Sequence, residues 1–265
     1  MTPIRLVVHG ALGRVGQVLV NSLCREPGLQ LVGAVDVKAK QDNLLLPEDA
    51  GSVPLSPDLD KILSGRKADV VVDFTLASAT LPAVRVAAKH GVNLVIGTTG
   101  FSAEHLKEIE NLVKASNIGA VIAANFTIGA VLMMHISKIV AKYLDYAEII
   151  ELHHNQKADA PSGTALNTAR AMAAARGKPF SRTPEQDKVY ESRGQPVEKI
   201  NIHSVRLPGL MAHQEVIFGG VGQTLSIRHD TINRECYVPG VVLAVKEVVK
   251  RKGIIYGLDN LLGLM

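Results

Sequence analysis

The chain has 265 residues, which is enough for one large domain or two small ones and for a substantial buried core. Hydrophobic residues make up 47% and charged residues 20%, a balance that excludes a disordered chain. The net charge of +4 is small, and no basic stripe interleaved with aromatic residues is present, so we expect no nucleic-acid partner.

The first half of the chain alternates apolar strand patterns with helical patterns. Strands are predicted at residues 4–10, 29–37, 68–75, 92–100 and 118–126, and helices at 13–26, 78–91 and 102–117, with Ser102 as an N-cap. Continuous valine and isoleucine runs joined by helices are typical of a parallel sheet covered on both faces. We therefore predict a Rossmann-like, doubly wound α/β architecture for this part of the chain.

The pattern changes from about residue 127. The predicted elements are a helix at 129–144, a strand at 147–154, a helix from about 162 to Arg176-Gly177, an exposed loop at 178–199, strands at 200–207, 213–220 and 223–231, and a closing helix at 239–253. Val221 and Gly222 alone separate the last two strands, which indicates a hairpin. The basic run 246–252 is interpreted as the polar face of the closing helix, which we expect to end the regular structure. This predicts a second α+β domain with a mostly antiparallel or mixed sheet.

The cysteines and the apolar runs indicate in which compartment the protein works and whether it binds a metal. Cys24 and Cys236 are the only cysteines, and neither has neighbours at a metal-ligand spacing, so we expect two buried free thiols and no metal site. The amino terminus shows no signal-peptide pattern. Residues 118–136 are strongly apolar but interrupted by polar residues and glycine, which favours a buried strand and helix over a membrane span. We expect a cytoplasmic protein with no membrane partner.

A glycine-rich turn follows the first predicted strand and opens the first helix. Gly10, Gly13 and Gly16 form GxxGxxG rather than GxGxxG, because Leu12 occupies the usual second-glycine position. Glycines allow close backbone approach, and free N–H groups at a helix start attract a pyrophosphate. Asp36 lies 20 residues beyond Gly16 at the end of the second strand, where a carboxylate accepts hydrogen bonds from a ribose. The alternative is a tight turn with a solvated aspartate; His9 is assigned to ordinary packing.

Two further loops, at residues 97–100 and 123–129, follow predicted parallel strands. Ligands of open α/β sheets bind at the carboxyl ends of such strands, although either loop by itself could be a plain connection. Their position in the same sheet as the glycine turn favours a shared nucleotide site.

The stretch ELHHNQKADAPSGTAL, residues 151–166, concentrates proton donors ahead of a helix. His153 lies at a strand end and Lys157 in the loop that follows, and the two could protonate the charge that hydride addition leaves. Ser162 is a natural N-cap, and Gly163 and Thr164 would expose a helix start to an anion. The alternatives are a structural histidine and a plain capped helix.

These motifs carry a resemblance to a known family. In chain order, GALGRVG, DFT, GTTGF, AANF and ELHHNQKADAPSGTAL resemble the motifs of the dihydrodipicolinate (4-hydroxy-tetrahydrodipicolinate) reductases, over nearly the whole chain. The resemblance implies NADH- or NADPH-dependent reduction of a small cyclic dicarboxylate, 4-hydroxy-tetrahydrodipicolinate, to tetrahydrodipicolinate with loss of water, in lysine and diaminopimelate biosynthesis. It also implies a homotetramer paired through the second domains' sheets. The implied domains are 1–126, rejoined by the carboxyl-terminal segment 233–265, for the dinucleotide, and 127–232 for substrate and assembly.

The resemblance assigns roles by motif position. The cofactor would be lined by Gly10, Ala11, Leu12, Gly13, Arg14, Val15, Asp36, Gly97, Thr98, Thr99, Ala123, Ala124, Asn125 and Phe126. His153 and Lys157 would be the catalytic proton donors, and His154, Gly163 and Thr164 would bind substrate.

Two positions depart from the family pattern. Many members have methionine in place of Val15, and several have a charged residue in place of Val37; Lys38 and Lys40 could still reach a 2′-phosphate, so the resemblance leaves NADH against NADPH open. The remaining alternatives are another Rossmann amino-acid or semialdehyde dehydrogenase, which would bring a different acid/base set, and a dinucleotide-sensing module without catalysis.

Overall fold

A computed structural model describes residues 2–48, 50–181 and 192–264. The chain forms two compact units, Met1–Ile128 with Arg234–Met265, and Gly129–Asn233. The unit boundaries lie beside the predicted domain boundaries at 126 and 232. The roles given to the two domains stay a prediction.

Strands and helices follow one another along the described residues. They are β1 Ile4–His9, α1 Arg14–Leu23, β2 Leu29–Val35, β3 Asn43–Leu45, β4 Ser52–Ser56, α2 Leu59–Gly65, β5 Val70–Asp73, α3 Ala77–His90, β6 Asn93–Ile96, α4 Ala103–Ala115, β7 Gly119–Ile122 and α5 Ile128–Val140. They continue with β8 Tyr146–His153, α6 Gly163–Arg176, β9 Gln195–Val197, β10 Ile200–Arg206, β11 Ala212–Gly220, β12 Gln223–Thr231, a 3-10 turn Arg234–Tyr237, α7 Val238–Val248, β13 Gly253–Tyr256 and α8 Leu258–Leu261.

The first unit contains a sheet with the strand order β13-β7-β6-β5-β1-β2-β4-β3. All neighbouring strands are parallel except β3 and β4. Its strands are apolar runs, such as the fully buried Val70–Asp73, because a parallel sheet with helices on it has little solvent-facing surface. The chain runs outward from β1 in one direction through β2 and in the other through β5, so the topological switch point lies between β1 and β5. The predicted doubly wound α/β architecture is confirmed.

The second unit is built on a mixed sheet with the order β12-β11-β8-β10-β9, in which β8 and β10 are parallel and the other pairs antiparallel. The β11–β12 hairpin turns at Val221 and Gly222, as predicted. Alternate residues of the central strands pack with α6 in one core that includes Ile149, Met172 and Phe218. The predicted mixed sheet is confirmed, and β8 places His153 at its carboxyl end.

Several sequence predictions were wrong in detail. The closing helix α7 ends at Val248 rather than near 253, so residues 249–252 of the basic run are not on its polar face. Regular structure continues in β13, whose run GIIY is only four residues long; it pairs in parallel with β7 and forms the edge of the sheet. The predicted loop 178–199 contains β9, and its residues 182–191 lie outside the described part of the chain.

The two cysteines and the long apolar run also have a place in the structure. Cys24 and Cys236 are free, as expected, but half-buried rather than buried. Residues 118–136 form β7 and α5. Among the described residues, none of the helices combines the length and the apolar character that a membrane crossing requires.

Candidate active site

The predicted cofactor loops leave the first sheet from one edge. The glycine turn follows β1, Asp36 follows β2, Gly97–Thr99 follows β6, and the 123–126 loop follows β7. Because β7, β6, β5, β1 and β2 are consecutive parallel neighbours, the carboxyl ends of these strands line one edge. The structure therefore brings the predicted cofactor residues of this unit together at the switch point.

The glycine turn is shaped by close approach of backbone to backbone. Gly10 has a φ of +85°, and a Cβ at Gly16 would lie only 1.9 Å from the Gly10 carbonyl oxygen. The N-cap of α1 is Gly13, and no side chain of the described chain caps this helix start. The first N–H groups of α1 are thus left for an anionic ligand, which is the requirement for a bound pyrophosphate.

Asp36 anchors this turn to the end of β2. Its carboxylate accepts hydrogen bonds from the backbone N–H groups of Leu12 and Lys38, each at 2.9 Å. A carboxylate has about four acceptor sites, so two remain for ribose hydroxyls. Val37 beside it is 79% exposed, so its side chain projects away from the core. The residues present at this edge fit a dinucleotide.

A buried polar network, which the sequence reading missed, lies under the turn. The side chain of Asp73, at the end of β5, accepts hydrogen bonds from the Thr98, Thr80 and Thr75 hydroxyls at 2.7 to 2.9 Å and pairs with His9 Nδ1 at 2.6 Å. Burial raises the pKa of Asp73, but the bonds from His9 and Thr98 outweigh it and hold this pKa below its ordinary range. His9 is therefore not a packing residue alone: its ring is hydrogen-bonded to a buried carboxylate. The aspartate in DFT at the strand end was the signal available.

Some predicted cofactor residues can reach a ligand only through their backbone. Thr98 gives its hydroxyl to Asp73 and accepts the Thr75 N–H at 2.9 Å, and Phe126 is buried with its ring 5.4 Å from that of Phe74. The other predicted cofactor side chains divide by exposure: Ala11 and Ala123 are buried, Leu12, Val15 and Asn125 are half-buried, and Arg14, Thr99 and Ala124 are exposed.

In the second unit, the ring of His153 is hydrogen-bonded to a buried carboxylate. Glu151, two residues earlier on β8, is fully buried, and its Oε2 lies 2.5 Å from His153 Nδ1. Arg206, at the end of the parallel neighbour β10, donates to both carboxylate oxygens at 2.7 and 2.9 Å. Burial raises the pKa of Glu151, but the hydrogen bonds from His153, Arg206 and Ser204 outweigh it and lower this pKa to about 2. The sequence reading gave Glu151 and Arg206 no role.

Lys157 forms an ion pair within its own loop. Its Nζ lies 2.7 and 2.8 Å from the two carboxylate oxygens of Asp159, and this pairing holds the pKa of Asp159 below its usual range. The Lys157 side chain is 22% exposed, and its backbone N–H donates to the His154 carbonyl. The imidazole of His154 has a buried Nδ1 without a hydrogen-bond partner among the described residues.

The start of α6 has the predicted cap. The Ser162 hydroxyl accepts from the Ala165 N–H at 3.2 Å, and the Ser162 N–H donates to Glu151 Oε1 at 3.2 Å. The N–H groups of Gly163 and Thr164 come first in the helix, where no intrahelical carbonyl can reach them. A Cβ on Gly163 would meet no atom within 4 Å, so open space adjoins this helix end. This is the geometry of an anion site beside the His153 strand end.

No cluster of three or more histidine, cysteine, aspartate or glutamate side chains that could hold a metal ion occurs among the described residues.

A Rossmann-like unit with an open loop edge, followed in the chain by a unit that carries histidines and a lysine beside an open helix start, is typical of a nicotinamide-dependent oxidoreductase. The family models for the N-terminus and the C-terminus of dihydrodipicolinate reductase match residues 4–126 and 129–262. The chain belongs to the dihydrodipicolinate reductase family, whose members use NAD(P)H and work in lysine and diaminopimelate biosynthesis.

Individual relatives agree with this family over the whole chain. The chain is 55% identical over 264 residues to a 4-hydroxy-tetrahydrodipicolinate reductase of Dehalococcoides mccartyi, with 100% of both chains covered. It is 48% identical to the enzyme of that name from Moorella thermoacetica, with 98% of each covered. A solved dihydrodipicolinate reductase with bound dipicolinate, from Paenisporosarcina sp. TG-14, superimposes with a TM-score of 0.87 at 37% identity and coverage of 98% and 99%. Family membership makes the chain an enzyme and sets aside both the sensing module and the other Rossmann dehydrogenases.

Proposed function

We propose that this chain reduces 4-hydroxy-tetrahydrodipicolinate to tetrahydrodipicolinate: substrate, NAD(P)H and a proton give product, NAD(P)⁺ and water. The observation that carries the proposal is the His153–Lys157 pair of residues next to an open helix start at Gly163, in a chain of this family. A dicarboxylate needs cationic or N–H partners, and the reduction needs a proton donor.

The cofactor residues proposed are those of the predicted set, from Gly10 to Val15, Asp36, Gly97 to Thr99 and Ala123 to Phe126. Bound NAD(P)H supplies the hydride. The uncapped start of α1 would hold the pyrophosphate, and the two remaining acceptor sites of Asp36 would hold the adenosine ribose. Close packing of Gly16 on Gly10 would let those N–H groups approach the pyrophosphate.

The substrate residues proposed are His153 and Lys157 as proton donors, with His154, Gly163 and Thr164 as binding residues. Lys157 leaves Asp159 for the substrate at little cost, because an exposed ion pair contributes only about 0–1 kcal/mol. His154 is proposed as a binding residue by its place in the motif, directly after His153 at the end of β8. The start of α6 would hold one carboxylate through the N–H groups of Gly163 and Thr164.

The deciding assay follows the oxidation of NADH and NADPH after mixing the enzyme with substrate made in place from pyruvate and aspartate semialdehyde. Turnover that requires both precursors supports the proposal. Enzyme that binds either nucleotide and turns over neither would overturn it.

NADH is expected to be used at least as well as NADPH. Val37 offers no charge to a 2′-phosphate, and Asp36 next to it repels one, although Lys38 and Lys40 lie exposed on the same turn. The measurement is kcat/KM for each nucleotide under one set of conditions. A preference for NADPH of tenfold or more contradicts the expectation.

Gly163→Ala is expected to raise KM for the substrate about tenfold while leaving the melting temperature unchanged. The added methyl enters space that is empty in the structure but that the proposal assigns to a carboxylate. The matched variant is Gly177→Ala at the other end of α6, where φ is +70°. There alanine costs about 1 kcal/mol of stability and leaves KM alone. If the Gly163→Ala enzyme has the wild-type KM, the start of α6 does not bind the substrate.

A cytoplasmic homotetramer is proposed for the assembled enzyme. Ile150, Leu152 and Ile217 alternate with core residues on β8 and β11, so they lie on the sheet's other face, and each is only part-buried. Such a face could pair with the same face of a second chain. Light scattering should give four times the 28.3 kDa chain mass; a monomer mass would contradict the assembly.

A further inference from the structure

Glu151 is the point at which three elements of the second unit meet. Its side chain is fully buried and binds His153 on its own strand β8, Arg206 at the end of β10, and the Ser162 N–H just before α6. Burying a carboxylate is costly unless it is paired and hydrogen-bonded. Here both oxygens are paired, so the buried charge is compensated.

The ionisation state of Glu151 determines which tautomer of the His153 ring can form the hydrogen bond between them. With a pKa of about 2 for Glu151, its carboxylate is ionised at neutral pH and can only accept hydrogen bonds. The 2.5 Å contact therefore requires a proton on His153 Nδ1, which leaves Nε2 as the nitrogen that can exchange a proton with a ligand.

We propose that Glu151 is a positioning residue: through its hydrogen bond to Nδ1–H it orients the His153 ring and leaves Nε2 as the nitrogen that takes up a proton and passes it to the substrate. Through the Ser162 N–H, the same carboxylate also sets the start of α6 in register with that ring. This inference rests on the proposed function, because it assigns a partner to the proposed proton donor His153.

The groups around Glu151 are consistent with a carboxylate that stays charged. Arg206 supplies two charge-assisted bonds and also donates to the backbone carbonyl of Asp159, which ties the Lys157 loop to the same cation. On the other side, the cross-strand neighbour Gln214 gives its amide to Thr168, and His229 lies one strand further on β12. Burial lowers the pKa of His229, so it adds little positive charge at neutral pH.

The test is a double-mutant cycle between Glu151→Gln and His153→Ala. Glutamine keeps the size of the side chain and removes the charge. Glu151→Gln is expected to lower kcat roughly 10²-fold in the wild-type background, toward the lower end of what a positioned acid contributes, with KM for NADH unchanged. In the His153→Ala background the same change should cost less than about twofold, because no imidazole remains to be oriented and the glutamine oxygen can still accept the Ser162 N–H. An equal loss in both backgrounds, or none in the first, overturns the proposal.

Asp69→Asn is the matched control. Asp69 also accepts two bonds from one arginine, Arg5, and a third from a backbone N–H, but no histidine. It should lower stability without changing kcat by more than about twofold. If Asp69→Asn lowers kcat as much as Glu151→Gln does, the loss results from breaking an arginine–carboxylate pair, and the proposal is overturned.

A second readout needs no substitution. Neutron diffraction from wild-type crystals should show a deuteron on His153 Nδ1 and none on the Glu151 carboxyl, whereas a bare Nδ1 or a deuterated Glu151 overturns the proposal. This result stands even if Glu151→Gln does not fold. It also separates the two hypotheses, since a wild-type enzyme without turnover contradicts the proposed function and leaves the proton position to be measured.

Discussion

Replacing Lys157 with alanine is expected to lower kcat by at least 10²-fold while the enzyme stays folded and binds NADH normally. A positioned proton donor contributes roughly 10²–10⁴-fold, and Lys157 sits in the loop between His153 and the start of α6. Among the described residues the ion-pair partner of Lys157 is the exposed carboxylate of Asp159, so loss of Lys157 leaves no buried charge there. Steady-state kinetics, NADH titration and thermal melting measure the three quantities.

The control for this experiment is Lys178→Ala. Lys178 is also a lysine near an end of α6, with its Nζ 3.7 Å from Asp145, and it has no proposed role. Its removal should leave kcat within about twofold, as for a typical surface ion pair. If Lys157→Ala stays within about threefold of wild type, Lys157 is not a catalytic donor.

The second large effect is expected at the glycine turn. Gly16→Ala should weaken NADH binding at least tenfold and lower stability by about 1–3 kcal/mol, the usual cost of overpacking. The new Cβ would lie 1.9 Å from the Gly10 carbonyl oxygen and 2.9 Å from the Ala11 Cα, so α1 must move away from the turn. The atoms that the new Cβ meets belong to the backbone, which cannot rotate away as a flexible side chain does. The N–H groups at the start of α1 therefore shift when the helix moves. Isothermal titration of NADH and thermal melting provide the measurements.

Gly65→Ala separates this effect from the mere addition of a methyl group to a helix. Gly65 is the last residue of α2, and a Cβ there would meet nothing within 4 Å. Alanine is expected to be neutral or to stabilise by up to about 1 kcal/mol, with unchanged NADH affinity. Wild-type affinity in Gly16→Ala would mean that the close approach of helix and turn is not needed by the cofactor.

Local features of the site were predictable because they depend on a few neighbouring residues. Ser102 and Ser162 cap α4 and α6 as predicted, since a serine hydroxyl satisfies an N–H three residues on. The β11–β12 hairpin follows from two turn residues between two alternating strands. The position of the glycine turn and of the later loops at strand ends followed from the βα alternation, because parallel strands share one carboxyl edge.

The partners of the site residues were not predictable in this way. Arg206 reaches Glu151 across 55 positions of sequence, and the parallel pairing of β10 with β8 is what brings them together. Asp73 likewise bonds to His9 at the end of β1 and to Thr98 in the loop after β6, the two strands that flank β5. A buried carboxylate in a strand pattern carries no local sign of the cation or hydroxyl that will compensate it.

The sequence by itself determined the doubly wound first sheet, the mixed second sheet and the motif that places His153, Lys157 and Gly163 around one strand end and one helix start. Those features are set by periodicity, capping and turn chemistry over short stretches. The family was indicated by the resemblance of whole motifs. Only the tertiary structure decided that β13 joins the first sheet beside β7, that the Thr98 hydroxyl donates to Asp73, and that His153 is hydrogen-bonded to the buried Glu151. Each of these depends on strand order and register, which place distant residues side by side and which no local pattern specifies.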